Sequence, residues 1–346
     1  HGYGAVMTSA AQDADKPLVW YLRDLSMLSP AGINIQYPDI YYGEGDYDYV
    51  IVPNKLDIAD ISGTSPTEDP GLKKSYHGEA GIPVSSMFKK ALLAFYLKEE
   101  KIFFSTNIND DSKIKIYRNI VDRIKKLTPF LMLDKDPYLV AGKDRFYWIQ
   151  DAYTISDKYP VSRFETFEFA KERGRFNYIR NSVKVVVDAY DGDVDYYVAD
   201  PSDPIIKAYD SAYPGLFKSL NDMPQDLYQH LRYPRDMYFL QMKQFAKYHQ
   251  KSPEAFFQQG ETWQFATVRN DNVMPYYQTM DFSNCNDREE FVLINPMTPV
   301  NRDNLSMIGL AGVLDKEHCG SEYKPGITVY KFSKEVQVNG PAQVEA

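Results

Sequence analysis

The chain has 346 residues, 44% hydrophobic and 25% charged, an ordinary globular composition long enough for two domains or one large one. A formal net charge of −9 with scattered Lys and Arg argues against a nucleic-acid partner and gives no help to docking on an anionic membrane. No run approaches the ~18 consecutive apolar residues of a membrane span. The start, His1-Gly-Tyr-Gly, carries neither the basic segment nor the apolar core of a signal peptide. A chain that opens on His1 and stops at Ala346, within sequence that reads as structured, is expected to be a piece of something longer.

Residues 1–60 read as short strands, at 18–22, 33–35, 39–43 and 47–52, and 60–81 as an irregular Gly/Pro loop. Pro83 suits a first helical position, and Val84, Met87, Phe88, Ala91, Leu92 and Phe95 recur at helical spacing up to Lys98. Residues 102–104 read as a short strand or connector. Asp111 or Ser112 then caps a second helix with an apolar line at Ile116, Ile120, Ile124 and Leu127. Lysines and arginines including Lys113, Lys115, Arg118 and Arg123 give that helix a solvated basic face. Residues 138–141 and 146–149 flank Gly142-Lys-Asp144 as a hairpin, and 157–176 read as a charged, mobile insert.

A stronger hairpin follows. Val183, Val185 and Val187 alternate with Lys184, Val186 and Asp188, then Val194, Tyr196 and Val198 alternate beyond the Asp191-Gly192 turn. Val186 is apolar on the second face, which places this hairpin inside its sheet rather than at the rim. Helices are expected at 204–213, 225–232, 234–249 and 253–259, with Met237, Leu240, Gln241, Phe245 and Tyr248 as the buried stripe of the third. Strands are expected at 263–268, 275–280, 290–294 and 327–332, while 305–314 reads equally as helix or strand because Gly309 and Gly312 weaken the helix. The fold class is therefore α+β, mainly antiparallel sheets and hairpins packed with several amphipathic helices. Parts 1–157 and 177–346 are divided by the 158–176 insert, or form one domain.

If 291–294 pairs antiparallel with 311–314, the hairpin tip falls near Arg302 and Cys285 stands across from Cys319. That register predicts a disulfide worth about 3–4 kcal/mol in the chain-entropy model, and with it an oxidising, extracytoplasmic site. Two unpaired thiols are the plainer alternative.

Candidate chemistry is thin. Asp188, Asp191, Asp193 and Asp195 crowd one turn, a ligand set suited to Ca²⁺, against a plain polar turn with solvated carboxylates. Asp134, Asp136 and Asp151 are candidates for a general acid/base pair or a hard-cation site, and equally for turn caps. Arg302 with Asp303, and Arg232 with Arg235, fit carboxylate or phosphate recognition, or internal ion pairs. The five histidines form no HExxH pair, and no Walker, GxGxxG or GxSxG run is present, so no cofactor other than Ca²⁺ is expected.

Several runs carry a resemblance. Tyr76-His-Gly-Glu-Ala-Gly-Ile-Pro83, Pro129 to Tyr138, Asp151-Ala-Tyr-Thr154, Asn177 to Lys184, Asp200 to Ile206, Leu231-Arg-Tyr-Pro-Arg-Asp236, Pro299 to Leu305 and Gly340 to Glu345 resemble uncharacterised protein family 0182. The resemblance spans essentially the whole chain and implies the extracytoplasmic domain of a multi-pass membrane protein, preceded by a block of transmembrane helices. The partners it implies are the protein's own transmembrane region and a homo-oligomer or membrane-complex neighbour. It assigns no catalytic residues. The Cys285/Cys319 pair and the 28 tyrosines depart from what the family leads one to expect. The expected function is ligand or partner binding, or assembly, at the cell membrane's outer face; a carboxylate- or metal-dependent hydrolase is the alternative.

Overall fold

The structure is a computed structural model describing residues 2–10, 17–23, 29, 31–55, 76–269, 271–281, 289–314, 322–333 and 335–345. The chain divides into two units. One comprises His1–Ser9, Leu18–Leu133 and Pro137–Leu227; the other comprises Ala10–Pro17, Asp134–Asp136 and Tyr228–Ala346. The 158–176 segment lies wholly within the first.

In the first unit the valine hairpin forms as read. Tyr178–Asp188 pairs antiparallel with Val194–Val198, Val183 opposite Val198 and Val187 opposite Val194. Gly192, at φ 82, closes the turn in the left-handed region that glycine enters at no steric cost. Tyr178–Asp188 is central in a six-stranded sheet ordered Phe217–Ser219, Val194–Val198, Tyr178–Asp188, Phe146–Ser156, Met132–Leu133, with Tyr138–Ala141 also on Phe146–Ser156. Val183, Val185 and Val187 are buried against Ile120 and Ile124 of one helix and Ile206 of another, each side chain contributing about 1.5–3 kcal/mol. The other face is just as buried. There Lys184 sits directly across from Asp151 and pairs with it, both shielded from solvent.

Several local readings give way. The helix read from Pro83 begins later: Ile82–Pro83 is a strand, Ser86 caps Met87–Leu97 by accepting the Lys89 N–H, and Lys98 ends it at φ 53. Residues Lys101–Phe104 are a short helix rather than a strand. The second helix runs only Ile120–Leu127, capped by Asn119, because Ile108–Ile116 is a strand whose period-two Ile114-Lys-Ile116 pattern pairs with Tyr49–Asn54. Lys115 and Arg118, read as solvated, are buried. The 157–176 stretch is also ordered: Glu165–Phe169 and Glu172–Phe176 pair as a hairpin whose Phe169 and Phe176 are buried. In this small hairpin, two aromatic anchors replace the long periodic run that a sequence reading looks for.

The second unit carries a five-stranded antiparallel sheet, ordered Trp263–Phe265, Glu289–Pro299, Met307–Leu314, Tyr323–Lys331, with Tyr276–Asp281 also on Glu289–Pro299. The ambiguous 305–314 stretch is therefore strand. Leu293 faces Ala311 and Gly309 faces Asn295; an added Cβ at Gly309 would lie 2.6 Å from the Tyr238 hydroxyl. Arg235–Tyr248 is the long helix, and its buried line is Met237, Tyr238, Leu240, Met242 and Ala246. Gln241 and Tyr248, assigned to the stripe from sequence, are exposed. Among the described residues, no helix is long and apolar enough to cross a membrane.

Candidate functional site

The acidic turn at 188–195 is filled by the protein's own cations. The Ile108–Ile116 strand presents Ile114 to an apolar cluster with Val84 and Leu93, and Lys115 to a cage of tyrosines. The Lys115 Nζ lies 4.1 Å from the Tyr76 ring centroid, 5.1 Å from Tyr41 and 5.3 Å from Tyr42. It donates to the Tyr76 hydroxyl and the Tyr190 carbonyl, each at 2.9 Å, and stands 3.9 Å from Asp191 Oδ1. Burial pushes this ammonium down to about 7, against the opposing pull of Asp191 and Asp188. Tyr76 donates to Asp191 at 2.5 Å; its hydroxyl is raised by burial first and by that carboxylate second.

Arg145 completes the network, its Nη1 reaching Asp188 at 3.1 Å and Asp191 at 2.8 Å while stacking on Tyr37. Asp188 also accepts the N–H groups of Tyr190 and Asp191. The cage is tight: a Cβ on Gly78 would lie 2.1 Å from Asp191 Oδ1. With its ammonium enclosed by rings and both hydrogen bonds directed at the protein, Lys115 locks the turn and has no room for a substrate. Sequence reading missed it because Lys115 falls on the basic face of the helix read there, where a lysine looks solvated, and the stretch is strand instead; the Tyr-rich composition was the available signal.

An open cleft of about 640 Å³ lies at the end of the same strand. Tyr47, Tyr96 and Tyr117 line it together with Asp46, Asp48 and Asp122. Tyr117 takes φ 51, turning the chain from strand to helix, and its hydroxyl is 2.7 Å from that of Tyr96. The Asn119 amide donates to the Glu44 carbonyl and to Asp46. The Lys171 ammonium bridges Asp122 at 2.9 Å and Asp46 at 3.3 Å. The buried Arg118 guanidinium lies 4.8 Å from the Tyr47 ring and donates to the Tyr41 carbonyl. The cleft thus offers tyrosine faces rimmed by fixed donors and fixed acceptors.

The other sequence candidates occupy scattered places. The Asp193 carbonyl accepts the Asp188 N–H, and the Asp195 carboxylate takes the Lys218 ammonium at 2.7 Å. Among the described residues, no group of three His, Cys, Asp or Glu side chains is placed to hold a metal. Asp151, in the first unit, pairs with Lys184 and accepts the Asn181 amide at 3.0 Å. Asp134 and Asp136 belong to the second unit. There Asp134 accepts the N–H groups of Asp136 and Asp236, and Asp236 accepts the Lys135 N–H, a reciprocal cap on the Arg235–Tyr248 helix. Burial pushes the Asp236 carboxyl up to about 6. Arg232 reaches Asp136 at 3.4 Å and stacks on Tyr277, while Arg235 begins the helix. Arg302 and Asp303 are exposed at the tip between Glu289–Pro299 and Met307–Leu314, where the hairpin reading placed them. Cys285 and Cys319 lie outside the described residues.

Comparison with known proteins gives kinship without chemistry. A UPF0182 protein of Methylococcus capsulatus is 48% identical over 357 residues, covering 100% of this chain and 40% of that protein. One from Syntrophobacter fumaroxidans is 43% identical over 350 residues, and one from Methanospirillum hungatei 37% over 353; each covers all of this chain and 38% of its relative. The chain thus spans about two fifths of the length of the curated relatives it matches. No solved structure matches it. The model of the uncharacterised protein family UPF0182 matches residues 1–346, and the chain belongs to that family.

Proposed function

We propose that this chain is the ligand-binding, extracytoplasmic part of a longer membrane protein, with the bilayer-spanning segments in the remainder of the parent. The observation that carries the binding reading is the Tyr47/Tyr96/Tyr117 cleft, open to solvent and lined with side chains of both charge signs. Ring faces with interspersed donors and acceptors suit a polyhydroxylated ligand such as a sugar chain, whose C–H faces stack while its hydroxyls both donate and accept. A strongly charged ligand of either sign would meet like charge on the rim.

The hydrolase reading draws on Asp236, whose raised carboxyl lies in the same network as Asp134. Those carboxylates already serve backbone N–H groups at a helix start, so binding is the better-supported reading.

Saturation-transfer NMR against an oligosaccharide panel tests the cleft. A signal on the wild type that disappears in Tyr96→Ala and Asp122→Asn is expected. Silence across the panel, or a signal unchanged in both variants, sinks the sugar reading. The same proposal includes a Cys285–Cys319 bridge and a site outside the cytoplasm. Peptide mapping of the unreduced protein, isolated from its native membrane, should recover the two cysteines linked; recovery as free thiols counts against both.

A further inference from the structure

The Met87–Leu97 helix is apolar on two opposite sides. One side, with Leu93, Ala94 and Leu97, is packed on Ile51, Ile108 and Ile114. The other carries Met87, Phe88, Leu92 and Phe95 to the solvent, and Phe104 of the next short helix is equally bare. Phe95 is 85% exposed, Phe88 78% and Phe104 73%. A helix that is apolar all round is normally buried all round, and exposed aromatic patches of this kind mark a surface that meets something else.

The charges say what. Lys89, Lys98 and Lys101 are exposed; with Lys90, and against Glu99 and Glu100, they make the 87–104 stretch formally +2 on a chain of −9. The stretch contains no arginine. Protein–protein contacts favour Arg and exclude Lys from their centres. The combination of Phe, Leu and Met with a lysine border is instead that of a helix lying in a bilayer interface, its rings among the acyl chains and its lysine stems reaching up to the headgroups. We propose that this face, Met87, Phe88, Leu92 and Phe95, docks on the headgroup region of an anionic bilayer.

Sedimentation of the 346-residue chain with vesicles tests it. Binding is expected to vesicles of equal parts phosphatidylglycerol and phosphatidylcholine, weaker to phosphatidylcholine alone, and weakened by added salt. The double variant Phe88→Ser/Phe95→Ser should bind at least about tenfold more weakly, since each ring withdrawn from lipid forfeits its transfer energy. Separately, the Phe95→Trp variant should show a blue-shifted emission with anionic vesicles and quenching by brominated lipid, beyond any change in the wild type. No binding to anionic vesicles, binding unaltered in the double variant, or an added indole emission in Phe95→Trp that lipid leaves unmoved would overturn the proposal. So would a self-associated wild type that the double variant turns monomeric without any lipid effect, which would give the face to a second copy of the chain.

Discussion

Lys115 and Phe95 belong to the same unit and invert the usual rule of burial. The lysine is enclosed by four tyrosine rings, two oxygens and a carboxylate, while the phenylalanine stands in solvent. A charged group can enter a protein interior when partners there offset part of what water supplied; at Lys115 burial still outweighs them. An apolar group can remain outside when the inner side of its helix already satisfies the sheet. Partner supply decides the first case and available area the second; neither is visible in a hydropathy value.

The sharpest way to break this contrast is at Lys184, whose buried ammonium is matched by the buried Asp151 carboxylate. Lys184→Ala leaves Asp151 buried without that counter-charge and should cost about 3–5 kcal/mol in urea unfolding. Asp151→Leu/Lys184→Met should recover most of it; equal losses in single and double variants would mean the pair does not act as a unit. Next comes pH. The Lys115 ammonium is depressed to about 7 in the folded protein against 10.5 in the free side chain. The unfolded chain therefore holds the extra proton between those values, and this group's contribution rises with pH across the window and is lost as pH falls toward 7. A gain on the order of 2 kcal/mol from about pH 7 to pH 9 is expected, absent in Lys115→Met. The smallest effect belongs to the bare helix: Phe88→Ser/Phe95→Ser should move stability by less than about 0.5 kcal/mol. A larger loss would mean that the face is covered within the chain.

The central hairpin, the long C-terminal helix and the β-sheet of the second unit were legible because period-two and period-3.6 patterns there are long, and the Asp191-Gly192 turn has few alternative conformations. The Leu293–Ala311 register was legible too, since one slipped residue would turn every side chain over. The strand at 108–116 was not, because Ile116 and Ile120 happen to fall at helical spacing across a turn made by Tyr117. The cleft was illegible for a different reason. Asp46, Tyr96, Tyr117 and Lys171 come from four separate segments, and no local pattern announces which distant residues will meet.

The reciprocal cap between Asp134 and Asp236 has a practical corollary. Asp134–Asp136, a part of the second unit that precedes Leu227 in the chain, supplies the carboxylate that starts that unit's long helix, so a single scission after Leu227 does not isolate the second unit whole. A C-terminal fragment made that way lacks its own helix initiator, and a severed protein would have to reassemble from both halves before that helix is properly begun.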